Sequence, residues 1–182
     1  MKSGARVLGV AESYRGETST LAGAVVRADR VVDDLVFSTC TVGGSDATDA
    51  VVDLVADLDR PDVQHVLVAG IAPAWFNIVD LHALHERTER PVVSVSFEDS
   101  PGLGDALRRE FDGDALDSRL AVYERQPPRR KLAVNDEQVW VRGVALDDDA
   151  VDNLIRTFTP EGGRPEPLRV ARLAARAFDD AR

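Results

Sequence analysis

Val66 to Ser96 reads V-L-V-A-G-I-A-P-A-W-F-N-I-V-D-L-H-A-L-H-E-R-T-E-R-P-V-V-S-V-S. Val66 to Ala69 are β-branched or small apolar residues with no charge among them, which predicts a strand covered on both faces. Gly70 and Pro73 break it, a helix of roughly a dozen residues follows, and Pro91 restarts the chain into Val92, Val93 and Val95. Two apolar strands joined by a helix make a parallel pair, because such crossovers are right-handed. Ligands of these sheets sit beyond the carboxyl ends of the strands. Here that place belongs to Gly70-Ile71-Ala72-Pro73-Ala74-Trp75-Phe76-Asn77, a tight turn carrying two aromatic rings and an amide.

Upstream of this unit, Ala5 to Val10 predicts a first strand, Tyr14 to Thr20 a polar turn, Leu21 to Ala28 a second strand and Val31 to Val42 a third. Short connections make these three an antiparallel meander. Gly43-Gly44-Ser45-Asp46-Ala47-Thr48 turns into a helix whose apolar positions, Val51, Val52, Leu54, Val55 and Leu58, recur at helical spacing. Downstream, the pattern predicts a helix over Leu103–Phe111, a strand near Leu120–Tyr123, a basic proline loop over Gln126–Lys131 and a strand over Val139–Val144. Helices over Asp147–Thr157 and Leu168–Ala181 follow. A meander followed by alternating helices and strands favours an α/β, ribonuclease H-like layout. Its mixed sheet would have about five or more strands with helices on both faces, in a single domain over residues 1–182.

The chain has 182 residues, 44% hydrophobic and 30% charged, with no apolar run of membrane-spanning length and no leader-like start. Cys40 is the one cysteine, so no internal disulfide forms and a cytoplasmic location is expected. A lone cysteine in an apolar strand reads as a small core residue. Net charge is −10, the acids are mostly Asp, and lysine occurs only at positions 2 and 131. Such a surface suits a salty cytosol, where repulsion is screened. It lowers, without removing, the expectation of a nucleic-acid partner.

In the layout above, the end of the first strand, the strand-to-helix turns and the last helix converge. Four acids map there: Glu12, Asp46, Asp80 and Glu166. Together they would suit Mg²⁺, with Mn²⁺ as a substitute, since hard cations take carboxylate oxygens. Each also has an ordinary reading: a solvated carboxylate for Glu12, a helix cap for Asp46, a partner of a neighbouring arginine for Asp80, a helix-dipole partner for Glu166. Gly43-Gly44 at a helix start offers a weak phosphate cradle. His82 and His85, three apart on one helix, lack further ligands. Trp75 and Phe76 could stack on a base. Arg129-Arg130-Lys131 is the main basic cluster.

The runs G-V-A-E-S (Gly9 to Ser13), T-V-G-G-S-D-A-T (Thr41 to Thr48), G-I-A-P-A-W-F-N-I-V-D (Gly70 to Asp80) and P-E-P-L-R-V-A (Pro165 to Ala171) resemble the archaeal endonuclease dU family, a relative of endonuclease V. Four ordered motifs cover essentially the whole chain. The resemblance implies a ribonuclease H-like fold and Mg²⁺-dependent cleavage of deoxyuridine-containing DNA, a repair-type activity. Only part of the family's acidic set carries over, to Asp46 and to Glu12 beside the matching position, with Asp80 and Glu166 as replacements. The expected catalytic residues are Glu12, Asp46 and Asp80, and the expected metal ligands of a one-metal site are Glu12, Asp46 and Glu166. Substrate contacts would come from Gly43, Gly44, Gly70, Trp75, Phe76, Asn77 and Arg169, with Asn77 reading a base edge. Ala11 and Ala69 stand where endonuclease V has strand aspartates, and Arg172 where the dU family often has histidine. Ala11 and Ala69 favour an alternative, a non-catalytic nucleic-acid or nucleotide-binding module. DNA is the expected partner, no membrane is expected, and a homodimer is the expected assembly if the chain self-associates.

Overall fold

The computed structural model describes residues 1–182. Its seven strands form one mixed sheet in the order β3-β2-β1-β4-β5-β7-β6. β1 (Arg6–Arg15), β2 (Thr18–Arg27) and β3 (Val32–Thr41) are the antiparallel meander. β4 (Val63–Ala69) lies parallel to β1 and to β5 (Val92–Ser96), so the βαβ reading of the central stretch is met. β7 (Glu137–Val144) pairs antiparallel to β5 and carries the edge strand β6 (Arg130–Val134). No helix is long and apolar enough to cross a membrane.

Side-chain alternation along β1 assigns the two faces. Leu8 and Val10 point into a core shared with α1 (Ala47–Leu58) and α3 (Leu81–Thr88), through Val51, Leu54, Leu81 and Leu84. Val7 points the other way, into a core built with Leu67, Val93 and Val95 and closed by Val151, Leu154 and Ile155 of α6 (Asp148–Thr157). Leu168 of α7 (Glu166–Ala181) joins that second core, and Ala171 packs with Ala11 of β1. Helices thus cover both faces, as the fold class requires.

Several local expectations are corrected. Tyr14–Thr20 is no open turn: β1 and β2 run on to Arg15 and Thr18 around Gly16-Glu17, with Gly16 at φ +64°. The residues near Leu120–Tyr123 are the end of a helix, α5 (Gly113–Glu124), preceded by α4 (Gly104–Glu110). α5 buries no side chain completely, so its short apolar run gave no helical signal. The basic loop ends in β6, whose Lys131 pairs with Trp140. The central helix has eight residues. Before it, α2 (Pro73–Phe76) is a single turn in which Ala74, Trp75 and Phe76 all have positive φ, 49°, 54° and 62°. Three consecutive left-handed non-glycine residues cost about 1–3 kcal/mol each, which the surrounding contacts must offset.

α7 can lie this low on the sheet because β1 carries no side chain beneath its first turn. A Cβ on Gly9 would stand 2.3 Å from the Pro167 carbonyl carbon. Gly9→Val is therefore expected to lower stability by at least ~1–3 kcal/mol. The check is a chemical-denaturation midpoint that falls while the slope with denaturant stays constant.

Candidate functional site: an arginine-lined cleft at the strand ends

The carboxyl ends of β1, β4 and β5 open into a cleft of about 370 Å³. Glu12, Gly70, Ser94 and Ser96 form part of its wall, and Arg129, Arg142, Arg164 and Arg172 converge on it. Gly70, at φ +74°, donates its N–H to the Val95 carbonyl at 2.9 Å and has open space where a Cβ would stand.

The arginines come from separate elements. Arg129 lies just before β6, Arg142 on β7, Arg164 before α7 and Arg172 a turn and a half into it. None of the four is within ion-pair distance of an acid. Arg129 is held by carbonyls of Ser100 (2.8 Å) and Glu98 (2.5 Å) and lies over the Trp140 ring. Arg142 donates to the Pro127 carbonyl at 2.5 Å. Arg164 stacks on Phe97 at 3.8 Å. Burial pushes the Arg142 and Arg164 guanidiniums below their ordinary value, and the Arg172 charge pushes Arg164 further.

Glu12 continues the α1 and α3 face of β1. One of its oxygens accepts from the Ser19 hydroxyl at 2.6 Å and from the Ala74 N–H at 2.8 Å. Its other oxygen has no protein partner. Glu12 and Asp46 are brought to the same side, around Cys40. Burial, with the Asp46 and Glu12 charges adding, pushes the Cys40 thiol up to about 12, which leaves it an inert core residue.

Asp46 sits at the N-cap position of α1 but caps nothing with its side chain. Its carboxylate accepts from the Thr41 N–H (3.0 and 3.2 Å), the Thr41 hydroxyl (2.8 Å) and the Asn77 amide (2.6 Å). Burial would raise its pKa, but the hydrogen bonds from Asn77 and Thr41 outweigh it and hold the group below the usual range. Asn77 is fully buried, donates also to the Thr41 carbonyl at 2.8 Å and accepts from the Ala47 N–H at 2.9 Å. With every polar group engaged, it has nothing left to read a base edge.

Gly43 and Gly44 likewise form no phosphate cradle. Their N–H groups donate to Ala74 and Thr41 carbonyls (2.7 and 3.0 Å), and their carbonyls accept from Arg119 (2.6 and 2.9 Å). Arg119 also reaches the Phe76 carbonyl at 3.2 Å and lies 4.0 Å over Phe111. These contacts hold the left-handed turn in place. They leave Trp75 46% exposed, against Phe111 (5.3 Å) and Phe76 (5.7 Å). A Cβ on Gly43 would meet the Trp75 ring at 2.9 Å.

The two remaining acids are elsewhere engaged. Asp80 is the N-cap of α3, accepting from the His82 and Ala83 N–H groups (3.1 and 3.2 Å) and paired with Arg125. Glu166 is paired with Arg169 at 2.5 Å, so Arg169 faces this acid rather than the cleft. His82 and His85 are hydrogen-bonded to carbonyls of Arg125 and Arg90. No three His, Cys, Asp or Glu side chains are grouped so as to hold a metal ion. Ala11 and Ala69 pack on the α7 side of the sheet, the face opposite Glu12. Of the four proposed carboxylates only Glu12 keeps a free oxygen, so the residues present do not fit a carboxylate-built Mg²⁺ centre.

The Asp46–Asn77–Thr41 knot yields two measurable expectations. Asn77→Ala strands a buried Ala47 N–H and part of Asp46, and is expected to cost ~1–3 kcal/mol in urea unfolding. Because the Asp46 pKa is lowered on folding, its stabilisation is present above pH ~4 and is lost as pH falls through the folded value. Asp46→Asn should therefore flatten the acid-side decline in stability.

Comparison with known proteins fits the fold and extends the reading. A UPF0215 protein of Thermococcus kodakarensis is 35% identical over 163 residues, covering 88% of this chain and 82% of that one. A UPF0215 protein of Methanocaldococcus jannaschii is 30% identical over 160 residues, covering 87% and 84%. Among solved structures, a protein of unknown function from Archaeoglobus fulgidus superposes with TM-score 0.84 at 23% identity, covering 95% of this chain and 97% of that one. Human endonuclease V superposes with TM-score 0.65 at 16% identity, covering 97% and 86%, which establishes a shared fold. The family model described as endonuclease dU matches residues 3–179, and the chain belongs to that family.

Proposed function

We propose that this chain is a nuclease-type protein that takes a nucleic-acid strand across the carboxyl ends of β1, β4 and β5, with deoxyuridine-containing DNA as its substrate. One observation carries the reading. In a chain of net charge −10, four arginines without carboxylate partners converge on one cleft at the strand ends. Guanidinium groups match phosphate oxygens in geometry as well as charge, and the cleft excludes part of the competing water. The family's description supports the endonuclease activity and the deoxyuridine preference. A Ciona intestinalis endonuclease V of the same fold was solved with an inosine-containing DNA, which supports a DNA partner.

The guanidiniums would neutralise the phosphodiester and the charge that develops on it during attack. The free oxygen of Glu12, beside them, would accept the proton of the attacking water. Trp75, two residues beyond the cleft wall at Pro73, offers a ring on which an extruded base could stack. Extrusion costs a few kcal/mol, least where pairing is already weakened. The alternative, a non-catalytic binding module, is favoured by one fact: three of the four candidate carboxylates are fully engaged within the protein.

The experiment incubates the chain with duplexes that carry or lack one deoxyuridine, with Mg²⁺ and with chelator. Nicking confined to the deoxyuridine strand is expected. Glu12→Gln should slow it by ~10²–10⁴-fold while leaving binding intact, the usual range for loss of a general base. Strands left whole under every condition, with binding retained, would establish the module instead.

A further inference from the structure

Arg164 and Arg172 present an electrostatic problem that the protein does not solve internally. Their guanidiniums face the same cleft and raise each other's energy, yet neither makes a hydrogen bond or an ion pair with any protein group. The same α7 segment shows that a local solution exists. Arg169, three residues from Arg172, is neutralised by Glu166 at 2.5 Å. Elsewhere the fold pairs its arginines readily: Arg6 and Arg60 both reach Asp33 and Asp62. Arg142 joins the unpaired pair from β7, with one of its nitrogens fixed on the Pro127 carbonyl. Holding like charges together at a partly buried place without a counter-ion is unfavourable, and an anion arriving there would reverse the sign of the interaction.

Two features fix the character of that anion. The wall also carries the hydroxyl side chains of Ser94 and Ser96, donors that suit a tetrahedral oxyanion. The acid that remains in the wall, Glu12, has one oxygen tied to Ser19 and Ala74, which holds it in a fixed orientation. The carboxylates that would recruit a divalent cation are meanwhile locked in other contacts. Charge neutralisation at this cleft is therefore guanidinium work.

We propose that Arg142, Arg164 and Arg172 form a seat for one phosphate group of the bound nucleic acid, and that this seat operates without a divalent cation. The inference rests on the reading of the cleft as a nucleic-acid site and specifies how that site holds charge. Arg164 and Arg172 supply unoccupied guanidinium faces on two sides of the phosphate. Arg142 closes the third side with the nitrogens that Pro127 and Tyr123 leave free. Phe97 lies 3.8 Å from the Arg164 guanidinium carbon and steadies it, and a guanidinium fork can meet two phosphate oxygens together.

The test measures binding of a short, labelled single strand carrying one deoxyuridine, by fluorescence anisotropy, in chelator and in Mg²⁺. Affinity in chelator is expected to lie within about twofold of that in Mg²⁺, since the contact needs no metal bridge. R164A and R172A should each weaken binding about tenfold, ~1.4 kcal/mol. Each should also make the dependence of log affinity on log salt shallower by about 0.7. R164K, which keeps the charge but loses the fork, should keep the salt slope and lose part of the affinity. Inorganic phosphate should compete with the strand for the parent protein and far less for R172A. Arg172 is exposed, so R172A is expected to fold, and thermal unfolding verifies it. Affinity that collapses in chelator and returns with Mg²⁺, or variants that bind as the parent does, would overturn the seat. Tight metal-free binding without nicking would overturn the nuclease reading and leave the seat standing. Nicking and binding that both require Mg²⁺ would do the reverse.

Discussion

The close approach of α7 to β1 is the constraint on which the rest of this structure depends. Gly9 leaves room for the Pro167 backbone, and Ala11 meets Ala171 with two methyl groups between helix and sheet. That contact sets the height of α7 over the strand ends. Arg164 and Arg172 flank it along the chain and are carried to the cleft mouth, where Arg142 of β7 and Glu12 of β1 already stand. A larger residue at position 9 would lift the helix and take two of the four guanidiniums with it.

The opposite wall is organised by hydrogen bonds rather than by van der Waals contact. Asn77 ties Thr41, Asp46 and Ala47 together, and Arg119 ties the Gly43-Gly44 turn to Phe76. These contacts support three left-handed residues in a row and leave Trp75 at the surface. Strain of this kind persists where surrounding groups over-determine the backbone, and it gathers at functional sites. The motif residues Gly43, Gly44, Asp46 and Asn77 are thus a scaffold for the turn. Their oxygens and N–H groups are engaged with one another, which explains why residue types suited to ligand binding offer no ligand a free atom.

Much of the architecture was legible in the chain. The meander, the apolar β4 and β5 and the amphipathic α6 and α7 follow from periods of two and of 3.6. Leu120–Tyr123 does not read as helix because a helix that buries no complete side chain carries no apolar stripe, and β6 reads as loop because Arg130-Lys131 and the preceding prolines resemble one. The site was less legible. Glu12 and the Arg129 cluster were readable, and the signal for Arg142 was there: a charge inside the apolar run V-W-V-R-G-V. Arg172 has no acid within four residues on either side, which also set it apart from Arg169. Convergence of the four needed the fold.

By itself the sequence determined most of the elements, the mixed sheet and the family, because local periodicity and ordered motifs are properties of the chain alone. Only the tertiary structure decided which charges are free. Asp80 and Glu166 lose theirs to Arg125 and Arg169, and Asp46 loses its lone pairs to Asn77 and Thr41. Arg142, Arg164 and Arg172 keep theirs. Glu166 and Arg169 lie three apart on one helix, so that pair is local, whereas for Asp80 and Arg125, for Asp46 and Asn77, and for the cleft arginines the fold alone sets the distance to any partner.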